Sequence, residues 1–340
     1  MESAGRVVIL PLKAGGLTLD ARRIIRGIAL AALFSTLVYA VMAAVADAPA
    51  TIAALRELPM PITAAMLVLA LVGFVLRALR WTWLVRRSGH HVSTADGVYL
   101  HLSGQAMGVT PGRVGEIVKP WLSRELVGMP MSAGVALLFT ERVADLLGVC
   151  LLSLVGLTVL GGGGLWLAFG LAIVIVATWI AASPRFHSAA LGFLGKYHLT
   201  SRMAGPARSA FTVMEGSLSW RTLLATTPVS VIAWGLEGVG FALCVHALGF
   251  ETLGFAALVS VYAASTIIGA FTFFPGGIGF TELSLVGILV SAGMEAPTAA
   301  AATIVVRAAT LWWGVAIGWV VLATRPKVLA HLLHEPPAES

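Results

Sequence analysis

Long charge-free stretches alternate with short polar links along this chain. Residues 27–46 are twenty consecutive positions without a charged side chain. At about 1.5 Å per residue, a helix of this length spans the roughly 30 Å hydrocarbon core of a bilayer. Other predominantly apolar stretches predict five further spans, near residues 62–84, 131–160, 165–182, 222–248 and 297–323. An open sheet would leave backbone groups unpaired in lipid, so the pattern predicts transmembrane helices.

Two segments depart from this pattern because a Pro-Gly sequence breaks each of them in the middle. The first broken segment is residues 93–128 and the second is residues 254–293. Each half is too short to cross a bilayer, whereas irregular backbone is tolerated at membrane depth when it is buried in protein. We therefore predict two re-entrant hairpins. The residues predicted to form the breaks are Pro111, Gly112, Gly115, Pro275, Gly276, Gly277 and Gly279.

The composition agrees with a chain that has almost no soluble part. Of its 340 residues, 58% are hydrophobic and only 11% are charged, with a mean hydropathy of +0.93. A soluble domain of this length carries about 25% charged residues. The fold class predicted is therefore an all-α polytopic membrane protein, with about six transmembrane helices and two broken hairpins.

Basic residues predict the orientation of these spans. Six crossings place three segments on the same side of the membrane: the basic N-terminus (residues 1–26), the connection 185–221 and the tail 326–340. That side then holds most of the Lys and Arg residues outside the membrane. The cytoplasmic side of a membrane carries this excess. We expect both termini in the cytoplasm and a location in a bacterial inner membrane, with residues 27–325 forming one domain.

The two broken segments resemble each other, which predicts an internal repeat. Glu116 precedes Arg142 by 26 positions, and Glu282 precedes Arg307 by 25. Three predicted crossings separate the segments, so the two copies would enter the membrane from opposite sides. Inverted repeats with discontinuous helices are typical of transporters, whose binding sites lie near the bilayer midplane.

These motifs also resemble a known family. The resemblance lies in three motifs and a later arginine, which are Pro111-Gly-Arg-x-Gly-Glu116, Glu141-Arg142-x-x-Asp145, Pro275-Gly-Gly-x-Gly-x-x-Glu282 and Arg307. In these residues the chain resembles the lysylphosphatidylglycerol synthase transmembrane-region family of flippase-like proteins. The resemblance extends over roughly residues 20–325. It implies a membrane region that moves lipid, without the aminoacyl-transfer domain of the synthases, and it leaves the substrate open among phospholipids, polyprenyl-linked lipids and hopanoid-type lipids.

Charged residues inside predicted spans are costly, so each of them is a candidate for function. Arginine presents a planar fork that suits phosphate, and nearby carboxylates suit a cationic group or an ion pair. Arg307 has no acid near it on its own helix, so we predict Glu282 as its partner and, by analogy, Glu116 beside Arg142. The candidate substrate-binding residues are Arg113, Glu116, Lys119, Glu141, Arg142, Asp145, Glu282 and Arg307, and Glu237 is a candidate for coupling.

Other polar residues in the sequence favour ordinary structural roles. Arg77 and Arg80 lie one turn apart near the end of the second span, where snorkelling to the interface is the favoured interpretation. His90, His91 and His101 lack acidic partners at ligand spacing, which favours surface histidines over a metal site. We therefore predict no metal, no cofactor and no nucleic-acid partner.

The sequence thus predicts a lipid translocator with a polar groove at the midplane and membrane lipids as its substrate. Two other functions fit the same residues. One is an intramembrane transferase acting on a lipid-linked substrate, although no catalytic motif supports an enzyme. The other is a lipid-binding scaffold that recruits lipid-biosynthesis enzymes, through the connection 185–221.

Overall fold

The structure is helical over the residues that it describes. A computed structural model describes residues 21–110, 116–160, 183–196, 204–272 and 274–333, together with positions 172, 175, 176, 178 and 179. The helices in chain order are α1 (Ala21–Ala46), α2 (Ala48–Glu57), α3 (Met60–Arg87), α4 (Thr94–Gln105), α5 (Val118–Val127), α6 (Met131–Leu160), α7 (Pro184–Lys196), α8 (Ala204–Ser217), α9 (Trp220–Ala247), α10 (Phe255–Phe271), α11 (Phe280–Ser291), α12 (Ala296–Ala323) and α13 (Pro326–Leu333).

Four of these helices are long and apolar enough to cross a membrane. They lie within α1, α3, α9 and α12 and correspond to the predicted first, second, fifth and sixth spans. The predicted third span, 131–160, has the same bounds as α6. The predicted fourth span, 165–182, lies almost wholly outside the described residues.

Local sequence signals explain where several helices begin and end. The Ser93 hydroxyl accepts a hydrogen bond from the backbone N–H of Asp96 at 3.0 Å and thereby caps α4. Ser219 caps α9 in the same way, as expected for a hydroxyl that satisfies a free N–H in the first turn. Gly128 follows α5 with a φ of 68°, the left-handed conformation that commonly ends a helix.

Both broken segments consist of two short helices with an interruption between them. In the second, α10 and α11 pack against each other and flank a 3-10 turn at Pro275–Gly277. In the first, α4 packs against α5, and the helical path stops at Gln105 and resumes near Glu116. The predicted break residues Pro111, Gly112 and Gly115 lie outside the described residues, as does Arg113.

The glycines of the second break are needed for its backbone. Gly276, Gly277 and Gly279 have φ values of 58°, 69° and 93°, which side chains other than hydrogen rarely allow. A Cβ at Gly277 would also lie 2.8 Å from Thr281 Oγ1 and 3.1 Å from Gly269 Cα. The sequence Pro-Gly-Gly-x-Gly therefore permits a turn that packs directly against α10.

We expect Gly277→Ala to lower the free energy of unfolding by about 1–3 kcal/mol, because the residue would be strained and crowded. Gly287→Ala is a matched control, since Gly287 lies within α11 and a Cβ there meets nothing within 4 Å. That change should stabilise the protein by about 0.5–1 kcal/mol. Thermal unfolding in detergent compares the two, and equal unfolding temperatures would contradict this interpretation of the break.

The long helices and the broken segments pack in corresponding ways in the two halves of the chain. Helices α3 and α9 contact each other at the centre. The first arm of each broken segment packs on a long helix of the other half, α4 against the second part of α12 and α10 against α6. Each second arm packs on the helix that follows it, α5 on α6 and α11 on α12.

The predicted connection 185–221 contains helices α7 and α8, which contact each other, and α8 also packs on α6. His187 on α7 faces Glu215 on α8, with 3.0 Å between Nδ1 and Oε1. Residues 197–203 of this connection and 334–340 of the predicted tail lie outside the described residues, as do residues 1–20.

Arg325 lies just beyond α12 and joins the end of that helix to the start of α4. Its guanidinium donates a hydrogen bond to Asp96 and lies 4.2 Å from the ring centroid of Tyr99. Burial raises the pKa of Asp96, but the hydrogen bonds from Ser93 and Arg325 and the charge of Arg325 outweigh it, so the net pKa lies below its usual value. The ionised form of Asp96 is therefore the stabilising one.

A carboxyl whose pKa is depressed in the folded state stabilises it above the unfolded pKa of about 3.9. This stabilisation is lost as the pH falls through the folded value. Since both side chains are about one-third exposed, we expect Asp96→Asn to cost only about 0.2–1 kcal/mol at pH 7. The difference between wild type and variant in detergent-solubilised unfolding should shrink below about pH 4; a difference independent of pH would contradict the ion pair.

Candidate functional site

A cavity of about 100 Å³ lies where the two broken segments meet the long helices. Its wall includes residues from both halves of the chain, among them Gly276 and Gly277 of the second break and Gly108 at the edge of the first. Arginine, glutamate and tyrosine side chains also line it, namely Arg77, Glu116, Arg142, Glu237, Tyr262 and Arg307. The site therefore brings three arginines together in the wall of one cavity.

Arg142, on α6, is the most exposed of these three arginines. Its side chain is 33% exposed, against 7% for Arg77 and 8% for Arg307. The predicted pair with Glu116 is present, but its Nε–Oε2 distance is 3.4 Å. The contacts of Arg142 with Glu141 and Asp145 are also long, at 3.7 and 3.5 Å. Charge-assisted bonds of this type are normally about 2.7–2.9 Å, so Arg142 retains capacity for another anion.

Arg307, on α12, is held much more tightly, and its predicted pairing with Glu282 is confirmed. Arg307 Nε lies 2.6 Å from Glu282 Oε1, and its Nη2 donates to the carbonyl oxygen of Gly276 at 2.6 Å. The second carboxylate oxygen of Glu282 accepts from the backbone N–H of Gly279 at 2.7 Å. Glu282 therefore fixes both Arg307 and the start of α11, and it anchors the second break to α12.

The interpretation of Arg77 and Arg80 as interfacial, snorkelling side chains is wrong. Arg80 is buried and lies 2.8 Å from Asp145 and 3.1 Å from Glu141, both on α6. It also contacts Ser230 on α9. Since a buried arginine requires compensating charge, these acids explain how Arg80 is accommodated. The sequence did not indicate Arg80 as the partner of Glu141 and Asp145, because Arg80 lies more than sixty positions before them in the chain.

Arg77 pairs with Glu237, the acid that stands alone in the sequence of α9. The two side chains form a buried ion pair, and the Tyr262 hydroxyl donates to Glu237 at 2.7 Å. The Arg77 guanidinium also lies 4.5 Å from the ring centroid of Trp234. Arg77 and Glu237 each lie 17 positions after the first residue of their helix, Met60 and Trp220 respectively.

Lys119 and His101 are also buried, contrary to a role for His101 at the surface. Each is 3% exposed, and Lys119 forms an ion pair with Glu141. His101 Nδ1 lies 3.4 Å from Glu141 Oε1, and the Lys119 ammonium lies 4.5 Å from the ring centroid of Trp81. The predicted binding residues thus divide into two groups. Lys119, Glu141 and Asp145 form a buried cluster with Arg80 beside the cavity. The other group lines the cavity wall and consists of Glu116, Arg142 and Arg307.

The described residues contain no group of three or more His, Cys, Asp or Glu side chains that could hold a metal ion. What the arrangement offers instead is a small polar chamber with arginine side chains and glycine backbone in its wall. Chemically, it is suited to bind phosphate or carboxylate oxygens.

Comparison with known proteins identifies the family. Residues 25–318 match the family described as the lysylphosphatidylglycerol synthase TM region. The chain belongs to this family. The match includes both broken segments and the arginine, glutamate and tyrosine side chains of the cavity wall. Together with the four long apolar helices, membership in the lysylphosphatidylglycerol synthase TM family makes this chain a multi-pass membrane protein.

A curated relative agrees with this classification. The chain is similar to a UPF0104 membrane protein of Methanothermobacter thermautotrophicus, with 23% identity over 266 residues. The similarity covers 71% of this chain and 77% of the relative.

Proposed function

We propose that this protein moves an anionic lipid with a phosphate-containing head group between the two leaflets of its membrane. The head group would pass through the central cavity while the acyl chains remain in the surrounding lipid. Membership in a family named after the membrane region of a lipid synthase supports a lipid-related function. The proposal concerns movement of lipid and involves no chemical change to it.

One observation carries the proposal: an arginine with long ion-pair contacts lies in the wall of a cavity to which both broken segments and the long helices contribute. Arg142 is 33% exposed, yet the cavity to which it contributes lies within the helical bundle. A charge at membrane depth costs several kcal/mol unless it is paired or hydrated, and such residues usually mark a substrate pathway. A phosphate group would supply short, charge-assisted bonds that the carboxylates around Arg142 do not.

The arrangement of the two halves supports alternating access as the mechanism. The corresponding contacts of α4 with α12 and of α10 with α6 are those expected of an internal repeat. In the proposed mechanism the broken segments are re-entrant and related by inversion, so that rocking of one half exposes the cavity to each leaflet in turn. We further propose that the membrane is a bacterial inner membrane and that both termini face the cytoplasm.

Reconstitution into liposomes tests the function directly. Trace amounts of fluorescent phosphatidylglycerol report lipid movement, because dithionite quenches only the copies in the outer leaflet. We expect protein-containing vesicles to lose nearly all of the fluorescence, and protein-free vesicles about half of it. An equal loss from both preparations, with folded protein in the vesicles, would contradict the proposal.

The same vesicles distinguish the two rival functions. A transferase would convert a lipid-linked substrate into a product detectable by mass spectrometry, with no need for movement between leaflets. A scaffold acting through α7 and α8 would lose its function when that connection is replaced by a flexible linker. A translocator should continue to move the fluorescent lipid after this replacement, since the described residues of α7 and α8 contribute no side chain to the cavity wall.

A further inference from the structure

The ion pair between Arg77 and Glu237 is exposed to the cavity rather than sealed away from it. Both residues line the cavity, although their side chains are only 7% and 3% exposed. Glu237 contacts Arg77 through Oε1 and accepts a hydrogen bond from Tyr262 through Oε2. The pair bridges α3 and α9, the two central helices that contact each other.

The charges around this pair are already matched with one another. Each helix that packs against α9 contributes titratable or charged groups. Some of these groups lie near Glu237, and others belong to the buried cluster around Arg80 and Glu141. These groups are Arg77 and Arg80 on α3, Glu141, Arg142 and Asp145 on α6, Tyr262 on α10 and Arg307 on α12. In addition, His101 on α4 lines the same cavity. Arg80 is paired with the α6 carboxylates and Arg307 with Glu282. Arg77 is thus the direct ionic partner of Glu237.

An anionic lipid would upset this balance when its phosphate enters the cavity. Arg142 is the cation with remaining capacity, and Arg77 lies in the wall of the same small chamber. A phosphate that binds Arg142 and draws Arg77 away from Glu237 leaves a buried carboxylate without its counter-charge. Such a group is strongly unfavourable in a site with little water.

We propose that Glu237 takes up one proton when the lipid phosphate binds, so that lipid and proton cross the membrane together. This inference rests on the proposed function. The proton would bind Oε1, the oxygen that Arg77 releases, and the phosphate would take the place of Glu237 beside Arg77. The site gains one negative and one positive charge, and the loaded carrier has the same net charge as the empty one.

Tyr262 explains how Glu237 can exist in both forms. A proton on Oε1 leaves Oε2 free to accept, so the hydrogen bond that the Tyr262 hydroxyl donates to Oε2 at 2.7 Å survives protonation. Glu282 is less suited to this role because its partner Arg307 is also held by the Gly276 carbonyl oxygen at 2.6 Å, which keeps the guanidinium beside the carboxylate. Glu141 is also less suited, since it contacts Arg80, Lys119 and Arg142.

A pH gradient across liposomes tests the coupling. With one proton per lipid and one pH unit across the membrane, fluorescent phosphatidylglycerol should accumulate about tenfold in the leaflet on the alkaline side. Glu237→Gln should bring this ratio to about one. Glu237→Asp should restore part of the ratio, and Asp96→Asn, which removes a carboxylate outside the cavity wall, should leave it unchanged.

The wild type alone decides the matter if the Glu237 variants do not fold. Movement of the lipid with a leaflet ratio of one under the pH gradient would overturn the coupling and leave the proposed function standing. Absence of any lipid movement would overturn both. A membrane potential offers a second readout, since it should not drive accumulation in the wild type but should do so in Glu237→Gln, where the lipid would cross without its proton.

Discussion

Replacing Arg80 with alanine is expected to destabilise the protein by about 3–5 kcal/mol, the range found when one partner of a buried ion pair is removed. Arg80 is 3% exposed and lies between Asp145 and Glu141, which are 5% and 0% exposed. The substitution would leave these carboxylates with less positive charge and would also remove the contact with Ser230. It would therefore loosen α3, α6 and α9 at the point where they meet.

Arg87→Ala is a matched control for this prediction. Arg87 is the last residue of the same helix, and its guanidinium contacts Thr222 Oγ1 at 3.3 Å and the ring of Trp83. An exposed arginine of this kind contributes about 1 kcal/mol or less. Thermal unfolding in detergent compares the two variants, and similar unfolding temperatures would contradict a buried role for Arg80.

Replacing Arg142 with alanine is expected to have the largest effect on lipid binding and a small one on stability. Loss of charge-assisted bonds worth about 1.5–3 kcal/mol each should reduce retention of an anionic phospholipid by about 10–100-fold. The stability cost is small because the contacts of Arg142 are long, and because Glu141 and Asp145 keep Arg80 as a partner. Arg142→Lys should retain part of the binding, as a point charge without the guanidinium fork.

Native mass spectrometry of protein purified in mild detergent measures this retention. Wild type should carry phospholipid, and Arg142→Ala should lose it while its unfolding temperature changes little. Arg307→Ala should differ, because its contacts at 2.6 Å with Glu282 and Gly276 anchor the second break. We expect that variant to lose stability together with lipid. Equal lipid occupancy of wild type and Arg142→Ala would contradict the assignment of Arg142.

The helices could be predicted from the sequence largely because the membrane imposes their length. The bounds predicted for the third span coincide with α6, and those of the fifth and sixth spans differ from α9 and α12 by no more than two residues. The break at Gly276 and Gly277 was predictable from turn chemistry. The two arms of the second broken segment, α10 and α11, were predictable as apolar helices that are too short to cross alone.

The charge pairs were predictable only where the likeness of the two broken segments in sequence offered a guide. Comparing the two broken segments assigned Glu282 to Arg307 and Glu116 to Arg142, and both pairs are present. Arg77 and Arg80 were misinterpreted because their acidic partners come from α9 and α6, far away in the chain. One signal was available in the sequence of α6, where two acids, Glu141 and Asp145, accompany a single base, Arg142. This imbalance indicates that another cation must pack against α6.

The same limitation applies to His101 and Lys119. Composition and spacing place both in a moderately polar segment, which by itself indicates a surface or an interface. The packing of α4 against α5, and of α5 against α6, brings them instead to Glu141 in the protein interior. Burial of a polar segment depends on which helices cover it, and the sequence of the segment alone does not contain that information.

Passage of the lipid head group through the cavity can be tested by the rate of lipid movement in liposomes that contain equal amounts of folded wild type or Arg142→Ala. Access of dithionite to fluorescent phosphatidylglycerol measures that rate. We expect rapid movement with the wild type, intermediate movement with Arg142→Lys and a rate close to that of protein-free vesicles with Arg142→Ala. Equal rates for wild type and Arg142→Ala would contradict passage of the head group through the cavity.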